Sequence, residues 1–384
     1  MPWKEWSLML VRREFVELAI QPEANVKQLC GRFGISRKTG YKWMKRYREA
    51  KELGLRDRSR RPRQSPQRSS VEVEAKVLAL RDANSAWGAR TIRTRLEVLG
   101  HQEVPASSTI HAILRRHQRI DPKESSKHRP FQRFEREAPN QLWQMDFKGH
   151  FALGNGQRCH PLGMVDDHSR FALCLQACRN QQGETVQQQL TTTFRRYGLP
   201  EAMLMDNGSP WGSSDPDHPY TPLTVWLLRL GVGIGHGRPC HPQTQGKQER
   251  FHRTLKAEVL TGPVLKDFPQ AQARFDQWRE VYNHERPHQA LGMAVPASRY
   301  QVSPRSFPEV LPPIEYGPGD VVRKVQDQGK ISFQNRDFRI GKAFRGYPVA
   351  LRPSLQDGVF IVHFCSHQIA EIRVRDDREA QFSN

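Results

Sequence analysis

From residue 140 to residue 300, apolar runs of strand length alternate with amphipathic runs of helix length, which restricts the region to a sheet covered by helices. Residues 142–147, 161–165 and 171–177 read as three strands, linked closely enough for an antiparallel meander. A helix over 184–196, a strand over 202–205, a helix over 223–230, a strand over 232–235 and a helix over 245–260 follow, with a further helix over about 268–282. The region is expected to be an α/β domain with a mixed sheet flanked by helices.

The flanks read differently. With 384 residues, 37% of them hydrophobic, the chain has enough apolar material for two or more cores. Its net charge of +20 is uneven: +11 falls in residues 1–70, +4 in 71–140, +3 in 141–300 and +2 in 301–384. Such a basic end calls for a polyanion. Residues 14–19 read as a short helix, and Val26, Leu29, Cys30 and Phe33 recur at helical spacing until Gly34-Ile35 breaks the pattern. Ser36 is a good N-cap for a second, basic helix with Gly40, Trp43, Met44 and Tyr47 on its apolar face and Arg37, Lys38 and Lys42 elsewhere. Helix, tight turn and basic helix together form a helix-turn-helix over residues 1–56, which places Arg37, Lys38 and Lys42 at base edges and phosphates. Gly40 is the weak point, since an apolar side chain belongs there and glycine costs a helix about 1 kcal/mol.

Residues 57–70 form a basic linker whose Arg60, Arg61 and Arg63 suit a narrow minor groove, although a solvated tether explains them equally well. Residues 71–120 repeat the helical theme with milder charge: helices over 71–82 and 91–99, then Ser107 as N-cap for 109–116 with Ile110, Ile113 and Leu114 inward. Here a purely structural role stands beside base reading. Residues 121–139 form a second linker and the proline-rich 301–318 a third. The tail, 319–384, alternates strand runs with turn residues and reads as a small all-β, barrel-like or sandwich domain.

No stretch reaches the roughly 18 apolar residues of a membrane span, and the opening Met-Pro-Trp-Lys-Glu-Trp has no signal-peptide core. A soluble, intracellular chain without a membrane partner is expected. Six scattered cysteines without Cys-x-x-Cys signal neither a disulfide scaffold nor a zinc finger, and are read as reduced thiols.

Three carboxylates stand out. Asp146 lies within Leu-Trp-Gln-Met-Asp-Phe, an apolar strand where a carboxylate is costly unless compensated. Asp206 ends a strand and opens Asp206-Asn-Gly208, the kind of strand end where α/β sheets bind ligands, although Asp-Asn-Gly is also an ordinary turn. Glu249 starts a helical face with His252, Arg253 and Lys256 at i+3, i+4 and i+7, a pattern that also describes a solvated salt-bridge face.

Taken together, Trp143-Gln-Met-Asp146, Asp206-Asn-Gly208 and His241-Pro-Gln-Thr-Gln-Gly-Lys-Gln-Glu249-Arg-Phe-His-Arg-Thr-Leu-Lys256 closely resemble the three signature blocks of DDE transposases and retroviral-type integrases. The likeness is greatest to bacterial insertion-sequence transposases. Val165-Asp-Asp-His-Ser-Arg170 and Tyr282-Asn-His-Glu-Arg286-Pro-His288 also match blocks of that family, and the resemblance covers roughly residues 130–300. Between Asp206 and Glu249 lie 42 residues, more than is usual in the family. The surplus is assigned to the loop-forming stretch from Trp211 to Pro222, which raises the question whether Asp215 or Asp217 stands in for the second carboxylate. The family's retroviral members carry a His/Cys zinc block at the amino terminus; this sequence has none, so end binding falls to the helix-turn-helix.

The resemblance implies a ribonuclease H-like core over residues 140–300 that cleaves and joins DNA. It implies Asp146, Asp206 and Glu249 as catalytic and metal-binding residues, holding two Mg²⁺ ions about 4 Å apart with Mn²⁺ as a substitute. Asp146 would bridge both ions, and Asp206 and Glu249 would bind one each. Arg253 and Lys256 would grip the DNA end, and Asn207 and His252 are further candidates to position the attacked phosphate. The implied partners are double-stranded DNA, as element ends and as target, and at least a second copy of the chain, in the cytoplasm of a bacterium at the nucleoid. Two other readings stay open: an inactive DNA-binding regulator on the same fold, and a ribonuclease H-type nuclease that cuts without strand transfer.

Overall fold

The computed structural model describes residues 8–57, 68–120, 135–213, 215, 219–236 and 246–374. The chain separates into two compact units, Met1–Arg68 and Ser69–Asn384.

The first unit holds three helices, α1 (Leu8–Ala19), α2 (Val26–Arg32) and α3 (Arg37–Gly54). The first begins well before residue 14, where helical spacing alone places it. Ser36 caps α3, its hydroxyl accepting from the Thr39 amide at 3.2 Å. Phe15, Val16, Cys30, Trp43 and Met44 make the core, while Arg37, Lys38 and Lys42 are exposed on α3. Arg60, Arg61 and Arg63 lie outside the described residues. Gly40 corrects the expectation of an apolar side chain: a Cβ there would lie 2.7 Å from Cys30 Sγ and 2.8 Å from Phe15 Cζ. Gly40→Ala should therefore lower stability by about 1 to 3 kcal/mol, because overpacking outweighs alanine's better helix propensity. Thermal unfolding checks the sign, which propensity alone predicts to be a gain.

The second unit begins with α4 (Val71–Ala83), α5 (Ala89–Val98) and α6 (Ser107–Arg116). They close around Val77, Trp87, Ile92, Leu96, Ile110, Ile113 and Leu114. Ser107 is not the N-cap of α6: Ala106 holds that position, without a side-chain cap.

Next come β1 (Trp143–Phe147), β2 (Phe151–Ala152), β3 (Arg158–Asp166), β4 (Ala172–Cys178), α7 (Gly183–Tyr197), β5 (Ala202–Met205), α8 (Pro222–Arg229), β6 (Gly233–His236), α9 (Gly246–Leu255) and α10 (Phe268–Glu280). Strand β3 pairs antiparallel with both β1 and β4, whereas β1–β5 and β5–β6 run parallel, giving a mixed sheet. One face is covered through Val186, Leu190 and Phe194 of α7, the other through Phe251 and Leu255 of α9 and Phe275 and Trp278 of α10. The expected single helix over 245–260 is α9 followed by a wider π turn, Lys256–Leu260. That turn meets the helical unit, where the Ser85 hydroxyl donates to the Ala257 carbonyl at 2.7 Å. Val281 packs against the α4–α6 core.

Residues 301–318 are not a free tether. The Ser303 amide donates to the Tyr197 carbonyl and the Leu199 amide to the Arg305 carbonyl. The Arg305 guanidinium donates to the carbonyls of Pro200, Leu230 and Gly231, and the Phe307 ring packs tilted against Phe194 with centroids 6.2 Å apart. The proline content marks a segment that forms no helix; it does not mark one that leaves the surface.

The tail contains β7 (Val321–Lys324), β8 (Lys330–Phe333), β9 (Arg336–Arg339), β10 (Pro348–Pro353), β11 (Val359–Phe364) and β12 (His367–Arg373). Rather than a closed barrel, it is a four-stranded sheet in the order β12-β11-β10-β7 beside a β8-β9 ribbon. Its core, including Ile331, Phe344, Leu351 and Phe364, takes in Val225 and Leu228 of α8. The tail is thus docked on the α/β region. Five cysteines are free among the described residues; Cys240 lies outside them. No helix of the described residues is long and apolar enough to cross a membrane.

Candidate active site

Strand register brings the first two carboxylates together. Trp143 and Gln144 of β1 pair in parallel with Met203 and Leu204 of β5, so the same step continued by two residues sets Asp146 beside Asp206. Both stand at the carboxyl ends of parallel neighbours, where open sheets place their ligands. On its other side Asp146 is paired with Gly163 of β3. A Cβ at Gly163 would come 2.7 Å from Gln248 Nε2, 3.0 Å from Phe251 Cε1 and 3.1 Å from His252 Nε2. The bare glycine is what lets α9 lie this close to the sheet, and α9 carries Glu249.

Two neighbours of Glu249 fasten that helix. Gln248 Nε2 donates to the Gly163 carbonyl at 2.9 Å. The Lys247 ammonium forms an ion pair with buried Asp167 and also donates to its backbone carbonyl. Asp167 accepts further bonds from Gln144 Nε2 at 2.8 Å and the Arg136 amide at 2.9 Å. Its neighbour Asp166 accepts from the Asn140 and Ser169 amides and the Ser169 hydroxyl. The Val165–Arg170 block thus serves as an anchor for the sheet end, a role its sequence did not disclose because each partner lies distant in the chain or in an adjoining turn.

Asp146 feels the charge of both other carboxylates. Burial, then the charge of Asp206, push the Asp146 carboxyl up to about 7; Glu249 adds to the rise, while the Phe147 amide and Lys148 oppose it. Glu249 and Asp206 are themselves exposed. Among the described residues no group of three such side chains lies within common metal-ligand reach. The donor set is three hard carboxylates concentrating negative charge at one sheet end, which fits oxygen-seeking dications.

His252 departs from its expected place. Its side chain is buried, away from the solvent face that exposes Glu249, Arg253 and Lys256. Burial and then Lys148 push it down to about 3, so it is neutral, and at 3.6 Å its Nδ1 is not hydrogen-bonded to Asp146 Oδ2. Helical spacing put it with the cations because i+3 and i+4 straddle the boundary between faces. Asp215 is paired with Arg339 of the tail at 2.9 Å; Asp217 lies outside the described residues. Asn207 lines an open cavity of about 650 Å³ with Ser209, Ser213, Tyr220, Thr221 and Lys342.

The chain is similar to known proteins in its amino-terminal, α/β and tail regions. Two family models described as "Integrase core domain" match residues 136–242 and 230–296, and "IS481 family transposase, C-terminal domain" matches 320–380. "Helix-turn-helix domain" matches residues 11–63 and "Homeodomain-like domain" 39–114. The insertion element IS407 uncharacterized 31.7 kDa protein of Burkholderia multivorans is 29% identical over 42% of this chain and 55% of its own length. The insertion element IS136 uncharacterized protein of Agrobacterium fabrum is 30% identical over 38% of this chain and 75% of its own. The chain spans about half the length of the first of these relatives. The simian T-cell lymphotropic virus intasome in complex with a PP2A regulatory subunit contains a chain with a TM-score of 0.39 and 15% identity, covering 78% of this chain and 95% of that one.

Proposed function

Since this chain belongs to the insertion-element proteins that carry an integrase core domain, we propose that it is a DNA transposase, binding the terminal inverted repeats of its element and catalysing strand cleavage and transfer. The observation that supports this reading best is that strand register sets Asp146 beside Asp206 at one end of the mixed sheet, while α9, which carries Glu249, packs close against Gly163, the partner of Asp146. Asp146, Asp206 and Glu249 would hold two Mg²⁺ ions, or Mn²⁺ in their place, which when bound stabilise charge at the transferring phosphoryl group and acidify the attacking hydroxyl.

The chain's own residues orient the substrate. Arg253 and Lys256, exposed beyond Glu249 along α9 and its π turn, hold backbone phosphates of the DNA end. Arg37, Lys38 and Lys42 of α3 engage the terminal repeats, with Arg60, Arg61 and Arg63 alongside as minor-groove contacts. Because two ends must be joined to one target, a dimer or higher oligomer forms on DNA, within the bacterial cytoplasm where the element resides.

Strand transfer in Mg²⁺ on DNA carrying the repeats that flank the gene tests the reading. Joined product is expected. Repeat binding without joining overturns it in favour of an inactive DNA-binding protein; cleavage without joining favours a simple nuclease. At α3, Lys38→Ala should weaken end binding and reduce the slope of log K against log salt by about one, the signature of one lost phosphate contact. Titrations at several salt concentrations measure that slope, and an unchanged slope removes Lys38 from the interface.

A further inference from the structure

We infer that Trp211 is a positioning residue for Asp206: its indole N–H holds the carboxylate in the orientation that receives a divalent cation. The inference rests on the metal-binding reading proposed above and extends it to a residue that spacing alone placed in a surplus loop. Trp211 Nε1 donates directly to Asp206 Oδ1, and the Gly208 amide donates to the same oxygen at 3.0 Å. Two donors on one oxygen fix the rotation of the carboxylate, and with it the direction of the other oxygen. The ring is itself immobilised. It is 1% exposed and stacks on Phe147, the residue after Asp146, with centroids 5.5 Å apart and planes 23° from parallel. Trp211 therefore touches the strand end of one carboxylate and bonds the other.

The backbone is shaped to deliver it. The amides of Trp211 and Gly212 both donate to the Gly208 carbonyl, at 3.1 and 2.7 Å, folding the chain back over the strand end. A Cβ at position 212 would meet the Asn207 carbonyl oxygen at 2.0 Å and carbon at 2.4 Å, so only glycine fits that return. A loop serving merely to absorb extra length needs neither a fully buried indole nor a backbone contact this close.

Trp211→Phe retains a ring beside Phe147, removes the donor and leaves a small cavity where the five-membered ring lay. Mn²⁺ binding, followed through the paramagnetic resonance of the free ion, is compared in the natural protein, Trp211→Phe and Asp206→Asn. The expected result is strong weakening in Asp206→Asn and a loss of affinity of about tenfold in Trp211→Phe, with a lowered melting temperature that still leaves the protein fully folded at the temperature of the titration. Affinity lost in Asp206→Asn but unaltered in Trp211→Phe overturns the role of Trp211 and leaves the metal site standing. No binding to the natural protein, or binding indifferent to Asp206→Asn, overturns the metal reading and this inference with it.

A second measurement needs no change at Trp211. Of the eight indole N–H resonances of the natural protein, the one displaced by Asp206→Asn should be the one that responds to Mg²⁺. If that resonance ignores the ion while another nearby signal titrates, the indole does not orient the ligand and the inference fails.

Discussion

Glu249→Gln is expected to abolish strand joining while leaving binding to the element ends intact. The substitution keeps the size of the side chain and removes its charge, at a position already exposed on α9, so neither the helix nor the basic first unit is disturbed. A metal site contributes several kcal/mol of charge stabilisation in the transition state, and each 1.36 kcal/mol is tenfold in rate, which puts the loss at about a thousandfold or more. Joining assays on repeat-bearing DNA, run beside gel-shift measurements of end binding, separate the two effects. Joining that survives in the variant would remove Glu249 from the reaction and reopen the third carboxylate. Loss of both binding and joining would point to a folding defect, detectable as a lowered melting temperature.

The second large effect is expected at Lys247. Its ammonium is mostly buried against Asp167, which is 1% exposed. Taking one partner from a buried pair strands the other charge in a poor solvent, at a cost of about 3 kcal/mol or more. Lys247→Met should therefore lower the melting temperature by several degrees. It should also slow joining, since Lys247 fastens the start of the helix that presents Glu249, and a displacement of about 1 Å at a reacting group costs on the order of a hundredfold. Replacing both members, Lys247→Met with Asp167→Leu, should cost less than the two single changes added together, because no buried charge is then left uncompensated. Calorimetry on the four proteins measures the coupling. Additive losses would show that the pair is not an energetic unit and that α9 is held chiefly by Gln248 and the packing around Gly163.

Much of the α/β region is legible in the sequence because strand and helix periods are properties of consecutive residues. The runs at 142–147, 171–177 and 202–205 overlie β1, β4 and β5 closely. The same locality explains the misplaced details. His252 is assigned to the face of Glu249 by helical spacing, yet its burial depends on how near α9 comes to β3, which is decided by the missing side chain of Gly163. Gly40 looks like a defect along α3 and proves to be the space that Phe15 and Cys30 require. Residues 301–318 hold no periodic pattern, so nothing local reveals that Arg305 fastens them to three carbonyls of the α/β region.

The kinds of chemistry available are written along the chain: a strongly basic first segment, three carboxylates in a fixed order, and an alternation that covers a sheet with helices. Tertiary structure alone decided which groups meet. Asp146 and Asp206 become neighbours through a parallel register set between strands about 60 residues apart. Asp167 finds Lys247, and Trp211 finds Asp206, through packing that no window of consecutive residues encodes. Composition and period are written along the chain, whereas register and close approach arise only when distant segments compete for the same buried space.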